Sequence, residues 1–265
     1  MKQREGFTLV ELAIVLTILG LLIGGVLVGS TLIRGGELKA VTSEYQRYTT
    51  ALTAFKDKYF ALPGDMTNAT SVWGTDPDAC PGTNAAITLT AGTCNGDGDG
   101  VFDLNATDSN EDFRAWQQLA NAQLVEGSFS GVANSATATH GYAKIGTNVP
   151  ASKLSGAGWS IMNLGIVDET SVVYFENTYN NVFLFGGEVA TGMTVNPILN
   201  AGDAQDIDLK LDDGKPSTGN VIALESQDDC HDATASNTDP LTGTASYTPS
   251  NTEVGCSLII KMNTY

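Results

Sequence analysis

From Phe7 to Ile33 the chain is apolar or small, and its one ionisable side chain there is Glu11. These 27 residues make about 40 Å of helix at 1.5 Å per residue, more than a hydrocarbon core of about 30 Å, so the run predicts a tilted membrane-spanning helix. After Arg34 the pattern changes. Leu38, Val41, Tyr45, Tyr48, Leu52, Phe55 and Tyr59 recur at alternating steps of three and four, which is one apolar stripe on a polar helix. Pro63-Gly64 stops it near Phe60. One helix is therefore expected, apolar all round over 7–33 and amphipathic over 34–60.

Residues 61–110 are rich in Gly, Pro, Thr, Asn and Asp and read as a loop long enough to need a function or an ion to organise it. Ser109 with Asp112 has capping-box spacing and precedes Phe113, Trp116, Leu119 and Leu124, predicting a helix over about 110–126 that ends near Gly127. Short β-branched and aromatic runs then predict strands at Trp159–Ile166, Ser171–Glu176, Asn181–Phe185, Ile207–Leu211, Val221–Leu224 and Ser257–Met262. Thr178-Tyr179-Asn180-Asn181 and Asp212-Asp213-Gly214 are expected to close hairpins. The fold class is α+β, with an antiparallel sheet over about 157–265 packed across the long helix, and 61–265 forming the head.

Glu11 is costly. A carboxylate within a membrane helix costs about 2.5–3.5 kcal/mol by insertion scales, so it calls for a partner. The leader Met1–Gly6 carries Lys2, Arg4 and Glu5, too short and too charged for an ordinary secretory signal. Cleavage after Gly6 would make Phe7 the N-terminus, with an amine of unperturbed pKa about 7.7–8.0. Glu11 would lie one turn from that amine, or would pair with the amine of a neighbouring copy.

Gly6-Phe7-Thr8-Leu9-Val10-Glu11 followed by an apolar helix resembles the prepilin signature of type IV pilins and type II secretion pseudopilins. The resemblance implies a lollipop fold, cleavage after Gly6 by a prepilin peptidase, methylation of the Phe7 amine, and a docking role for Glu11. It also implies partners: copies of itself or related pilins in a filament, and an inner-membrane assembly platform. The chain would lie in the bacterial inner membrane before assembly and then in a periplasmic or extracellular filament, with its head outside the cytoplasm. Many pilins carry a proline in this helix; this one has none, so local melting would fall on Gly24-Gly25. The pairs Gly20/Gly24 and Gly25/Gly29 have the G-x-x-x-G spacing of close helix contacts in lipid. Phe113 to Leu119 also resembles a stretch common among pseudopilin-like proteins. The alternative is a pilin-anchored adhesin or substrate-binding tip module.

Charge, cysteines and one loop add to this picture. The net charge is −17, and losing a leader of net +1 gives −18, a surface that repels a phosphate backbone; no nucleic-acid partner is expected. Cys80, Cys94, Cys230 and Cys256 allow three disulfide connectivities, of which 80–94 with 230–256 closes the two shortest loops. No G-x-S-x-G, H-E-x-x-H or phosphate-cradling loop occurs, and the reading is a structural protein rather than an enzyme. Asn95, Asp97, Asp99, Val101 and Asp103 fall at positions one, three, five, seven and nine of a calcium loop of EF-hand type. Position twelve is Ala106, so the full motif fails, and a last ligand is expected from Asp108 or Glu111. Calcium in the head resembles a feature of several pseudopilins. A second acid group, Asp206, Asp208, Asp212 and Asp213, is expected on the exposed side of a hairpin without metal.

Overall fold

Helix α1 runs unbroken from Leu9 to Tyr59, 51 residues. The structure, a computed structural model, describes residues 8–76, 80, 92–103, 110–133, 142–168, 171, 173–190, 192–224, 229–233 and 245–262. The described large apolar side chains of α1 between Leu9 and Ile33 are exposed, as a helix made for lipid or for other helices requires. From Leu38 the stripe turns inward: Leu38, Val41, Tyr48, Leu52 and Phe55 are buried, with Tyr45 and Tyr59 packed beside them. Phe60 ends the helix in the left-handed region at φ 58° and its N–H donates to the Lys56 carbonyl.

Among the described residues the head holds four strands, β1 (Gly158–Val167), β2 (Asn177–Gly186), β3 (Val221–Ala223) and β4 (Leu258–Lys261), in the order β1-β2-β4-β3 with every neighbouring pair antiparallel. Three further helices complete the described elements: α2 (Ala69–Trp73), α3 (Glu111–Asn121) and α4 (Ala201–Leu211). This is the α+β lollipop expected from the sequence. Tyr48 of α1 lies edge-on to Trp116 of α3 at 4.9 Å and to Trp159 of β1 at 5.8 Å, the three rings joining helix to sheet. Glu44 of α1, buried, accepts from Ser152 Oγ, Lys153 N and Trp159 Nε1 at 2.7–2.9 Å and fixes the segment before β1 against the helix.

Several local expectations are corrected. Ile207–Leu211 is the end of α4, not a strand: Asn200 caps the helix by accepting from Asp203 N at 2.8 Å, and Ala201, Ala204, Ile207 and Asp208 bury one helical face. Leu209, which a strand would place beside Ile207, is 59% exposed. Thr178 to Asn181 lies within β2, where Asn180 (φ 52°) opposes Gly165 (φ 60°) across a shift of register. The turn-forming residues there serve a bulge rather than a hairpin. The described part of 171–176 is bends, and Asp212-Asp213-Gly214 leads from α4 towards β3. Helix α3 stops at Asn121, with Gln123 in the left-handed region at φ 62°; Asn110 stands at its N-cap, and Ser109 lies outside the described residues.

The disulfides are Cys80–Cys94 and Cys230–Cys256. The first ties the entrance of the acidic loop; the second holds the C-terminal loop beside β4.

Candidate functional site

Thr8 is the N-cap of α1. Its Oγ1 accepts from Glu11 N at 3.3 Å, while Glu11 Oε2 accepts from both Thr8 N and Thr8 Oγ1 at 2.8 Å. This is a capping box, for which Thr8-x-x-Glu11 is the sequence signal, so Glu11 serves the helix end as well as carrying charge. Two hydrogen bonds ease the carboxylate's desolvation but supply no opposite charge. Gly6 and Phe7 lie outside the described residues.

The acidic loop lies at the far end of α1. Asp65, Asp97, Asp99 and Glu111 each bring one carboxylate oxygen within 4.8 Å of the others. Hard oxygen donors this close together are of the kind that could hold a hard cation such as calcium, which takes about six to eight oxygens. Asp65 accepts from Gly98 N at 2.5 Å and Gly100 N at 2.9 Å; Glu111 accepts from Asp97 N at 3.1 Å and Asp103 N at 3.2 Å. A carboxylate oxygen has a second lone pair, so these bonds orient the acids and leave them able to ligate.

Close backbone approach makes this convergence. A Cβ on Gly64 (φ 88°) would stand 2.1 Å from the Glu111 carbonyl oxygen, and one on Gly96 would stand 2.4 Å from Asp65 Cα. Gly64 N donates to Gln118 Oε1 at 2.7 Å, locking the chain after α1 onto α3. On the other side, Asn181 of β2 donates to the Gly100 carbonyl at 2.8 Å and accepts from Phe102 N at 3.2 Å. The loop thus joins the end of α1, the start of α3 and the sheet.

Of the loop positions expected from the sequence, Asp97 and Asp99 enter the cluster. Asn95 Oδ1 accepts from Thr70 N of α2 at 2.9 Å, and Asp103 contributes a main-chain N–H. Of the two acids expected to complete the loop, Glu111 lies with the cluster, and Asp108 lies outside the described residues. Asp65 is not signalled by the loop's spacing, standing thirty residues before Asn95, with only Pro63-Gly64 to hint at a special turn. Burial pushes the Glu111 carboxyl up to about 7, raises Asp65, and holds neighbouring Asp112 well above the ordinary carboxylate range.

A family model described as the prokaryotic N-terminal methylation motif matches residues 1–27. The chain carries the type IV pilin and pseudopilin signature. No curated protein and no solved structure shows a significant match to it. The match covers the charged first residues, the capping box and most of the apolar run, and the motif points to a structural protein; the helix it enters is long and apolar enough to cross a membrane. The acidic loop lies beyond it.

The second acid group is not arrayed on a hairpin. Asp208 is buried on α4, accepting from Gly214 N and Tyr247 OH at 3.0 Å each, while Asp212 accepts from Asn220 N and Asp213 from Thr218 Oγ1. Burial, with the charges of Asp213 and Asp212 nearby, pushes the Asp208 carboxyl up to about 7, and burial also raises Tyr247. An acid whose folded pKa lies above its unfolded value of about 3.9 favours the folded state most in acid and loses that contribution as pH rises towards 7. Thermal melts of Asp208→Asn between pH 5 and 8 should therefore show a shallower decline with pH than the parent. Superimposable pH profiles would remove Asp208 as the cause.

Proposed function

We propose that this chain is a subunit, pilin or pseudopilin, of an extracytoplasmic filament of the type IV pilus or type II secretion kind, assembled by bundling of the α1 helices. The observation that carries this reading is the methylation motif continuing into a helix whose first half has its described large apolar side chains exposed and whose second half is clamped to a head. An exposed apolar helix of this length has two stable settings, a bilayer or a bundle of like helices, and moving from one to the other is assembly.

In this reading a peptidase cuts after Gly6 and the Phe7 amine is methylated. Glu11, already held by Thr8, finds its opposite charge in the Phe7 amine of an adjacent copy, and that pairing sets the register between helices. Calcium, bound by Asp65, Asp97, Asp99 and Glu111 with the Val101 carbonyl, Asp103 and water completing the shell, supplies positive charge that holds the loop's carboxylates together. A mature chain of 259 residues (265 less 6) suits a minor subunit. Removing the peptidase from the host should leave the chain at full length in the membrane and empty the filament fraction. A filament fraction unchanged by that deletion would overturn the reading.

A further inference from the structure

Gly35 and Gly36 stand between Ile33, 67% exposed, and Leu38, the first buried side chain of α1 among the described residues. Glycine weakens a helix interior, and a close neighbour is the usual reason for one there. Neither glycine has such a neighbour: a Cβ on either would meet nothing within 4 Å, and neither is at positive φ. Alanine would fit both places. What the pair supplies is therefore conformational freedom, since glycine pairs are among the places where helices bend sharply. Gly20, Gly24, Gly25 and Gly29 also have open space around them, but they lie in the half of α1 suited to other helices, where small residues have a use of their own.

One side chain spans the pair. Arg34 donates from Nε and Nη2 to Asp203 Oδ2 of α4 at 2.9 and 2.6 Å, and from Nη1 to Glu37 Oε2 at 3.3 Å. Arg34 precedes the glycines, Glu37 follows them, and Asp203 belongs to the head. Asp203 is itself well placed: its N–H donates to the Asn200 side chain at the start of α4, and its own side chain is only 13% exposed. Leu38, the next residue of α1 seated in the head, already lies beyond the glycines. The Arg34 side chain is 36% exposed, so water and salt reach the ion pair, and a pair in that setting is weak enough to open.

We infer that Gly35-Gly36 is a pivot between the lipid-facing half of α1 and the head, and that Arg34, bonded to Asp203 and Glu37, is the brace that holds it straight. With the brace closed, α1 is one continuous rod and carries the head at a fixed angle to its first half. With the brace open, the glycines bend and the head tilts on the end of its anchor, as one rigid body becomes two joined by a hinge. In a bundle each helix is held by its neighbours, so bundling and closure of the brace favour the same straight form. A closed brace therefore pre-organises the chain for bundling. The bilayer setting of the first half rests on the filament reading; the pivot and its brace do not.

The test is the distance between two spin labels, on Leu22→Cys and Thr50→Cys, measured in the full chain in lipid nanodiscs. Both positions are exposed and the native cysteines are all in disulfides, so the labels go to the introduced thiols. A straight helix places the two positions about 42 Å apart. Leu22 stands about 20 Å before Gly35 but only about 3 Å before Gly24, so a bend at the first glycine moves the label far more than a bend at the second. The parent should give one narrow distribution near the straight-helix distance. Arg34→Gln or Asp203→Asn should make it about twice as wide, with shorter distances added, and including Gly35→Ala with Gly36→Ala should return it to the parent's width. Arg34→Gln leaves α4 untouched, so the outcome does not depend on how well the Asp203 variant folds. Equal widths in the parent and the brace variants would overturn the brace, and a wide distribution that the two alanines leave unchanged would overturn the pivot. A parent chain that does not enter nanodiscs would instead sink the filament reading, and the same distances in detergent would still decide the pivot.

Discussion

Replacing Glu11 with alanine leaves the leader cleaved and α1 in the membrane, but lowers the amount of chain recovered in filaments by at least tenfold. A carboxylate at membrane depth costs about 2.5–3.5 kcal/mol, and a partner that offsets even about 1.4 kcal/mol of this changes an equilibrium tenfold. Among the described residues Glu11 is held by the N–H and hydroxyl of Thr8. Those bonds cap the helix; they leave a negative charge for a neighbour's amine to meet. Glu11→Gln separates the two roles, because glutamine still accepts from Thr8 N but carries no charge. Both variants should assemble poorly, as measured by sheared filament yield against membrane-bound chain. Normal yield from Glu11→Gln would assign Glu11 to capping alone and end the pairing account.

Chelating calcium lowers the melting temperature of the detergent-solubilised chain by about 5–10 °C. An ion present at a hundred times its dissociation constant stabilises the folded state by about 2.7 kcal/mol, and for a domain of this size each kcal/mol is worth about 2–4 °C. The effect is expected to be large because the cluster bridges the end of α1, the start of α3 and, through Asn181, the sheet. Losing the ion loosens a junction rather than a loop tip. Asp97→Ala with Asp99→Ala, both at exposed positions, should melt at the same temperature with and without chelator, and Asp65→Asn should weaken the response although it lies outside the loop. A parent chain indifferent to chelator would rule out the metal site.

The long helix was legible because two independent signals, an apolar run broken only by Glu11 and a three-four stripe, describe one continuous element. The apolar half required no tertiary information, and the amphipathic half announced which face the head would cover. The strands at β1, β2, β3 and β4 were placed to within a few residues by their β-branched and aromatic content. Helix α4 was misread because Ile207, Leu209 and Leu211 alternate with polar residues as a strand would, while the decisive signals, the Asn200 cap and the Ala201, Ala204, Asp208 spacing, lay upstream. The bulge at Asn180 was misread as a turn because the same residue types serve any backbone at positive φ. In the site, Asp97 and Asp99 could be read from spacing alone. Asp65 could not: its place is set by Gly64 and Gly96 letting two distant segments touch, and contact at that separation leaves no local period to detect.

The claim beneath all of this is that proteolysis creates the positive group that Glu11 requires. Intact-mass and terminal-peptide mass spectrometry of the chain from native filaments measures it directly. The account predicts a chain that begins at Phe7, six residues shorter than the translated sequence and bearing a methyl group on its terminal nitrogen. A chain in filaments that still begins at Met1 would contradict it.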